Sequence, residues 1–283
     1  MNNDYILSLI QQDKRSDERK FDEYRDIKIE LNISKNAEGS ARCKIGETEV
    51  LVGVKMDVGE PYPDSPDEGT IIVTAELTPI ASPNFELGPP GSQATELARI
   101  VDRGIRESQA VDFKKLCIKK GELIWMVFID IYPLNDDGNL IDASVLGALA
   151  ALKHARFPKL EKDKVVFGEF TDKKLGLTKL PVTLTFGKIN DKILLDLNSK
   201  EESAIDSRLS ISICDGDIHA MQKGGDKAMT PEDIEKMVDI AIKKEKELRS
   251  MIKWLIQAYL QSMKKQELLE QEHYKLPWAL RYY

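Results

Sequence analysis

The chain has 283 residues, of which 42% are hydrophobic and 31% are charged, and its formal net charge is −7. This length and balance predict a folded chain that can bury a core, and they exclude a disordered one. The negative charge excludes a protein that grips nucleic acid over its whole surface, so any such contact must come from a local group of cations or from a partner.

The cysteines and histidines do not have the spacing of a metal site. Cys43, Cys117 and Cys214 are far apart in the chain, and so are the three histidines. We predict three buried thiols in a reducing compartment, no metal and no cofactor. The chain contains no apolar run of membrane-spanning length and no cleavage signature near its N-terminus. We therefore expect a cytoplasmic protein without a membrane contact.

The first 80 residues predict a short helix followed by an antiparallel meander. Apolar residues recur at helical spacing in residues 5–10 and alternate with polar residues in residues 27–33. Turns are indicated at Glu38-Gly39 and at Gly46-Glu47. The segment GEPYPDSPDEG, residues 59–69, has three prolines and no periodicity, which predicts a loop before the next strand.

The middle of the chain predicts two helices around a central strand. A helix is expected from Ser92 to about Ser108, with a stripe of leucine, isoleucine and valine on one face. Residues 123–134 are almost wholly apolar, which is typical of a central strand. After an Asn-Asp-Asp-Gly turn, Asp142 is expected to cap a second helix that ends near Ala155.

The second half predicts four more strands and one long helix. The strand-like runs cover residues 180–189, 192–198, 207–214 and 217–223. Thr230-Pro231 begins a helix that is expected to continue to about Leu269. We predict an α+β chain of two related βαβ-type halves, about 20–160 and 161–254, within one domain of residues 1–254. A helical and aromatic extension is expected over residues 255–283.

A row of arginines is the main binding candidate. Arg99, Arg103 and Arg106 occur at i, i+4 and i+7, which places them on one face of the first long helix. Guanidinium groups bind phosphate oxygens two at a time, so such a row could follow the backbone of single-stranded RNA without reading its sequence. Ordinary surface ion pairs with Glu96 and Asp102 would explain the same residues.

Four segments, in order, resemble one protein family. They are EGSARCKIGETEVLVGVKMDVGEPYPDSPDEG, ELARIVDRGIRES, PLNDDGNLIDASVLGALAAL and ILLDLNSKEESAIDSRLSISI. They resemble the RNase PH-like subunits of exosomes, and the proline-rich loop resembles the non-catalytic member of the archaeal pair. The resemblance covers roughly residues 15 to 250.

The resemblance implies an RNase PH fold and a set of partners. The expected partner is a catalytic RNase PH-like subunit, and three such heterodimers close into a hexameric ring that carries RNA-binding cap subunits. The catalytic subunit shortens RNA from its 3′ end by phosphorolysis. Arginines that match Arg99 and Arg103 line the channel near its active site, while the match of Arg106 is weaker.

Two departures from the family pattern predict that this chain is not a catalyst. Active members hold phosphate with a small hydroxyl residue and an arginine after a glycine turn, but residues 136–142 here offer three aspartates and no cation. Active members also carry two aspartates six residues apart. Asp206 matches the second, but Lys200 stands at the first. Glu201 and Glu202 could form a displaced pair, although a solvated, charged turn is the simpler interpretation.

Three hypotheses follow for the function. The first is a non-catalytic scaffold and RNA-guiding subunit of an archaeal exosome ring. The second is a 3′-to-5′ phosphorolytic exoribonuclease in its own right. The third is a purely structural ring subunit without RNA contacts.

Overall fold

The computed structural model of the chain describes residues 3–275. Its first half is a mixed sheet with helices, and the predicted meander and both predicted helices are present. The elements are α1 (Asn3–Gln11), β1 (Ile27–Leu31), β2 (Gly39–Ile45), β3 (Thr48–Gly59), β4 (Thr70–Ala75), α2 (Ser92–Glu107), β5 (Cys117–Lys119), β6 (Leu123–Asn135) and α3 (Leu140–His154).

The second half is built on an antiparallel sheet and ends in one long helix. Its four predicted strands are present, as is the helix that begins after Thr230. The elements are β7 (Arg156–Glu161), β8 (Lys164–Lys174), β9 (Val182–Ile189), β10 (Lys192–Leu195), α4 (Ser199–Glu202), β11 (Ser207–Cys214), β12 (Asp217–Gly224) and α5 (Pro231–Lys275).

The first sheet has the strand order β1-β2-β3-β6-β4, and short β5 also pairs with β6. The nearly continuous apolar run of β6 is explained by its position, since it lies between antiparallel β3 and parallel β4. The second sheet has the order β10-β9-β11-β12 and is antiparallel throughout.

Helices α2 and α3 lie between the two sheets. Helix α3 packs on β2 and β3 from one side and on β9 from the other, while α2 packs on β4 and β12. Almost every residue of α3 is therefore buried, from Ile141 to Leu152. One apolar core consequently runs through both halves, which confirms the predicted α+β class.

The structure corrects three details. The cap of α3 is Asn139, whose side chain accepts from the N–H of Asp142, and Asp142 itself is buried in the first turn. Cys43 and Cys214 are buried free thiols as predicted, but Cys117 is half-buried. The hairpin of β7 and β8 was not predicted, because its strands are mostly exposed and alternate poorly.

The predicted boundary at residue 254 falls inside α5, which passes through it without a break. This boundary stays a prediction, and the aromatic tail from residue 276 lies outside the described residues. Within the described part of the chain, no helix combines the length and the apolar character that a membrane crossing needs.

The close approach of β2 to α3 depends on a glycine. A Cβ atom at Gly39 would lie 2.3 Å from the carbonyl oxygen of Ala151 and 2.9 Å from the Cα atom of Ala155. We expect Gly39→Ala to lower the free energy of unfolding by about 1–3 kcal/mol, because backbone atoms cannot move away as a flexible side chain could.

Gly53→Ala is the matched control for this substitution. Gly53 lies on neighbouring β3, and a Cβ atom there would meet nothing within 4 Å. Urea unfolding of both variants measures the difference, and equal stability of the two would contradict this packing argument.

Candidate nucleic-acid interface

A buried carboxylate organises the region around the N-terminus of α3. Asp196 is fully buried and accepts hydrogen bonds from Arg25 Nη2 at 2.8 Å, Asn139 Nδ2 at 2.7 Å and Arg19 Nη1 at 3.0 Å. Burial alone would raise its pKa, but the hydrogen bond and charge of Arg25 hold the pKa of Asp196 below its usual value. The network thereby holds the N-terminal segment, the cap of α3 and the end of β10 together.

The glycine turn before α3 uses its backbone donors internally. The N–H of Gly138 donates to Asp136 Oδ1 at 3.1 Å, and the N–H of Asn139 donates to Glu202 Oε1 at 2.8 Å. Backbone N–H groups at the start of a helix are the donors that bind a phosphate in other proteins. In this chain two carboxylates already accept from them, so an anionic ligand would have to displace like charges.

The space beside the turn is also filled. A Cβ atom at Gly138 would lie 2.6 Å from the carbonyl oxygen of Leu197 and 2.7 Å from the nitrogen of Ser199. Asp137 accepts from Ser199 Oγ at 2.6 Å and forms an ion pair with Arg25 at 3.4 Å. Arg25 is therefore bound to Asp196 and Asp137, and Arg208, which lines the cavity beside the turn, is bound to Glu96.

Burial and neighbouring charges raise the pKa values of two carboxyl groups at the turn. Burial, with a smaller contribution from the charge of Asp136, raises the pKa of Glu202 to about 7. Burial and the neighbouring Asp137 also raise the pKa of Asp136. The surroundings of the turn therefore disfavour negative charge, whereas a phosphate site must stabilise it.

The second predicted departure is also visible in the structure. Asp206 forms an ion pair with Lys227 at 2.7 Å and accepts from the N–H of Asn190 at 2.7 Å. Lys200 is exposed in α4. The interpretation of this segment as a solvated turn was wrong, because Glu201 is 1% exposed and bound to Arg15. Among the described residues, no acidic, histidine or cysteine groups cluster as metal ligands would.

Two of the three predicted arginines lie together in an open groove. Arg99 and Arg103 are exposed on α2 and line a groove of about 450 Å³ between this helix and the edge of the second sheet. Within residues 3–275, neither guanidinium has an ion-pair partner. Glu96 binds Arg208 at 2.7 Å, so the alternative pairing with Arg99 is absent. Both arginines are therefore available to an anionic ligand.

Arg106 has a different environment. It forms an ion pair with Asp102 at 2.8 Å, donates to the carbonyl oxygen of Ile71 at 3.0 Å and lies 5.5 Å from the ring centre of Phe113. It lines a second cavity, formed with the proline-rich loop. The structure thus separates Arg106 from the other two arginines, and its predicted RNA contact stays a prediction.

Sequence reasoning missed the floor of the groove. Ser210 and Ser212 of β11 line it together with Ala220 and Gln222 of β12. The alternation of serine with leucine and isoleucine in SRLSISIC was the available signal, because alternate residues of a strand share a face. That this face meets α2 follows only from the packing of the two halves.

Family models cover most of this architecture. The model of the 3′ exoribonuclease family, domain 1, matches residues 23–158, and that of domain 2 matches residues 179–244. The chain belongs to the RNase PH family. The two matched segments correspond to the two halves of the structure, which confirms the predicted resemblance.

Curated relatives in this family are close in sequence. The exosome complex component Rrp42 of Methanosarcina acetivorans is 47% identical over 265 residues, which is 93% of this chain and 95% of that protein. Rrp42 of Archaeoglobus fulgidus is also 47% identical and covers 88% of this chain and 95% of its own length.

Solved structures of the RNase PH family have the same fold. A chain of the Archaeoglobus fulgidus exosome with RNA bound to the active site superposes with a TM-score of 0.82 at 46% identity, over 88% of this chain and 96% of that one. An archaeal exosome core gives 0.80 at 43% identity, over 89% and 96%. Rice Rrp46, at 20% identity and a TM-score of 0.65, supports the fold alone.

The raised pKa of Glu202 predicts a pH effect on stability. The ordinary value is 4.5 and the folded value is about 7, so the folded state binds this proton more tightly and loses stability as pH rises between these values. We expect Glu202→Gln, which keeps an acceptor for the N–H of Asn139, to be more stable than the natural chain at pH 8 by about 2 kcal/mol.

Asp206→Asn is the control with the opposite sign. The ion pair with Lys227 lowers the pKa of Asp206, so this carboxylate stabilises the fold above its ordinary pKa of 3.8 and less below it. Denaturant unfolding between pH 4.5 and 8 measures both variants; because Asp206 titrates below this range, Asp206→Asn should lower the stability but keep the pH dependence of the natural chain. A Glu202→Gln variant that keeps the full pH dependence of the natural chain would contradict the assignment.

Proposed function

We propose that this chain is a non-catalytic scaffold and RNA-guiding subunit of an archaeal exosome ring. Its relatives are named exosome complex component Rrp42, and it shares the fold of an archaeal exosome core over nearly its whole length. The observation that carries the proposal is a contrast within one site. The phosphate-binding position is filled with carboxylates, while two arginines beside it remain open.

The absence of catalysis is inferred from the glycine turn. Phosphorolysis brings inorganic phosphate next to a phosphodiester, so a site needs cations and free N–H donors to offset the repulsion of two anions. Here the donors of Gly138 and Asn139 bind Asp136 and Glu202, and Arg25 is bound to Asp196. A bound phosphate at this turn would face carboxylates, and the nearby guanidinium groups of Arg25 and Arg208 are already paired with Asp196 and Glu96.

RNA guidance is inferred from Arg99 and Arg103. One helical turn separates them, about 6 Å along the axis, which is close to the spacing of phosphates in an extended single strand. Contacts with phosphate read no sequence, and this suits a complex that degrades RNA of many sequences. The net charge of −7 makes a local groove the favoured place for such contacts.

The proposed partners are a catalytic RNase PH-like subunit and RNA-binding cap subunits. Three heterodimers would form the hexameric ring, and the catalytic subunit would supply the phosphate site that this chain lacks. The similar structure of the Archaeoglobus fulgidus exosome with RNA bound to the active site supports RNA as the ligand, and we propose a single strand. We propose the cytoplasm as the location of the complex.

The purified chain is expected to release no nucleoside diphosphates from RNA in the presence of phosphate, because its glycine turn cannot bind the co-substrate. Addition of the RNase PH-like subunit of the same organism should restore release, and the two chains should co-purify in equal amounts. Release by this chain alone would favour the alternative of an active exoribonuclease.

Arg99→Glu combined with Arg103→Glu is expected to weaken RNA binding by the reconstituted complex at least tenfold and to slow decay, because both charges next to the strand are reversed. Fluorescence anisotropy with a labelled oligoadenylate, without phosphate, measures binding. Unchanged binding and decay would favour the purely structural subunit.

Arg106→Gln is the comparison variant for this experiment. The guanidinium of Arg106 is bound to Asp102 and to the carbonyl oxygen of Ile71, so it is less available to RNA than Arg99 and Arg103. We expect a loss of affinity smaller than that of the double variant. A comparable loss would support the third predicted arginine contact.

A further inference from the structure

The floor of the arginine groove consists of uncharged polar groups. Strand register pairs Ser210 with Gln222 and Ser212 with Ala220, so these four side chains share the face of the sheet that meets α2. The groove therefore has guanidinium groups on one wall and hydroxyl and amide groups below. A phosphate group alone would bind the guanidinium groups of the wall and leave the hydroxyl and amide groups of the floor without a hydrogen-bond partner.

The direction of one hydroxyl on this floor is determined by a buried chain of hydrogen bonds. Thr185 Oγ1 donates to Asp142 Oδ1 at 2.7 Å, which uses the only hydrogen of that hydroxyl. Ser210 Oγ lies 2.9 Å from Thr185 Oγ1, so Ser210 must be the donor in this contact. Its own hydrogen points inward, and Ser210 can offer only acceptor lone pairs to the groove.

Asp142 is the acceptor at the inner end of this series of hydrogen bonds. Besides Thr185 Oγ1, it accepts from Tyr24 Oη at 2.7 Å, Asn139 Nδ2 at 2.9 Å and the N–H of Thr185 at 3.1 Å. Burial raises the pKa of Asp142 to about 6, so at neutral pH this carboxylate is ionised and can only accept, which sets the direction of each hydrogen bond in the series. Asn139 in turn is held by Asp196, so the buried network extends to the floor of the groove.

We propose that Ser210 accepts a hydrogen bond from the 2′-hydroxyl of a ribose in the groove and thereby selects RNA over DNA. The proposal rests on the proposed function, in which Arg99 and Arg103 bind the phosphates of the strand. Ser210 is 2% exposed, and within residues 3–275 no group donates a hydrogen bond to its Oγ.

The choice of the 2′-hydroxyl depends on which group of the ligand can donate a hydrogen bond to Ser210 Oγ. The 2′-hydroxyl is the group that separates RNA from DNA, and it can donate a hydrogen bond. A buried acceptor disfavours a ligand that lacks the matching donor. Such a ligand displaces water from the acceptor but forms no hydrogen bond with it. Ser210 is therefore a specificity-determining residue, whereas the arginines contribute affinity to any phosphate backbone.

The test compares two strands that differ only in this donor. The complex of this chain with its catalytic partner, without phosphate, is titrated with oligoadenylate and with its 2′-fluoro analogue, which keeps the RNA-like sugar pucker but cannot donate. We expect the complex to bind the RNA about five- to tenfold more tightly, as for one hydrogen bond of about 1 kcal/mol.

Two variants assign this preference to Ser210. Ser210→Ala removes the acceptor, and Ser210→Cys weakens it while filling the same space, so one of them remains informative if the other fails to fold. Both are expected to bind the two strands equally, near the affinity of the natural complex for the analogue. Ser212→Ala is the control and should keep the preference for RNA over the analogue. Ser212 Oγ forms its hydrogen bond with Thr183 Oγ1 and not with the series of hydrogen bonds that ends at Asp142.

The outcomes separate this proposal from the proposed function. Equal binding of both strands by the natural complex, or a full RNA preference in folded Ser210 variants, would overturn the role of Ser210. The Arg99→Glu, Arg103→Glu variant should lose affinity for both strands to the same extent. If it loses none, the RNA-guiding function fails, whatever the Ser210 variants do.

Discussion

The buried carboxylate of Asp196 is the constraint around which this structure is arranged. Two arginines from the N-terminal segment and the capping asparagine of α3 all donate to it. A buried charge is tolerable only when its hydrogen bonds are satisfied, and loss of one partner of such a pair costs about 3–5 kcal/mol. The segment before β1, the start of α3 and the end of β10 are therefore held in one arrangement.

The glycine turn and the arginine groove are built by different parts of the structure. The network of Asp196 binds Arg25, and Asp136 and Glu202 accept from the N–H groups of the turn, so the hydrogen-bond donors of this turn are already used. The groove of Arg99 and Arg103 lies on the other side of the ion pair between Glu96 and Arg208. Under the proposed function, this chain would have lost the phosphate site and kept the groove that binds the strand, because different elements build the two.

Much of the fold could be predicted because the relevant signals are local. The apolar stripe of α2, the continuous apolar run of β6 and the Thr-Pro start of α5 each require only neighbouring residues. The errors occur where packing overrides local patterns. Asp142 looked like a helix cap, but Asn139 takes that position because Asp196 and Asp142 both accept from its side chain. Glu201 looked solvated, but Arg15 reaches it from 186 residues away.

By itself, the sequence determined the α+β class, the family and the candidate arginines, since periodicity and residue order carry that information. Only the tertiary structure decided which arginines are free. The spacing of Arg99, Arg103 and Arg106 is helical for all three, yet Asp102, Ile71 and Phe113 engage the third alone. The polarity of Ser210 is likewise a property of the fold, because the direction of a hydroxyl depends on a carboxylate that is distant in the chain and adjacent in space.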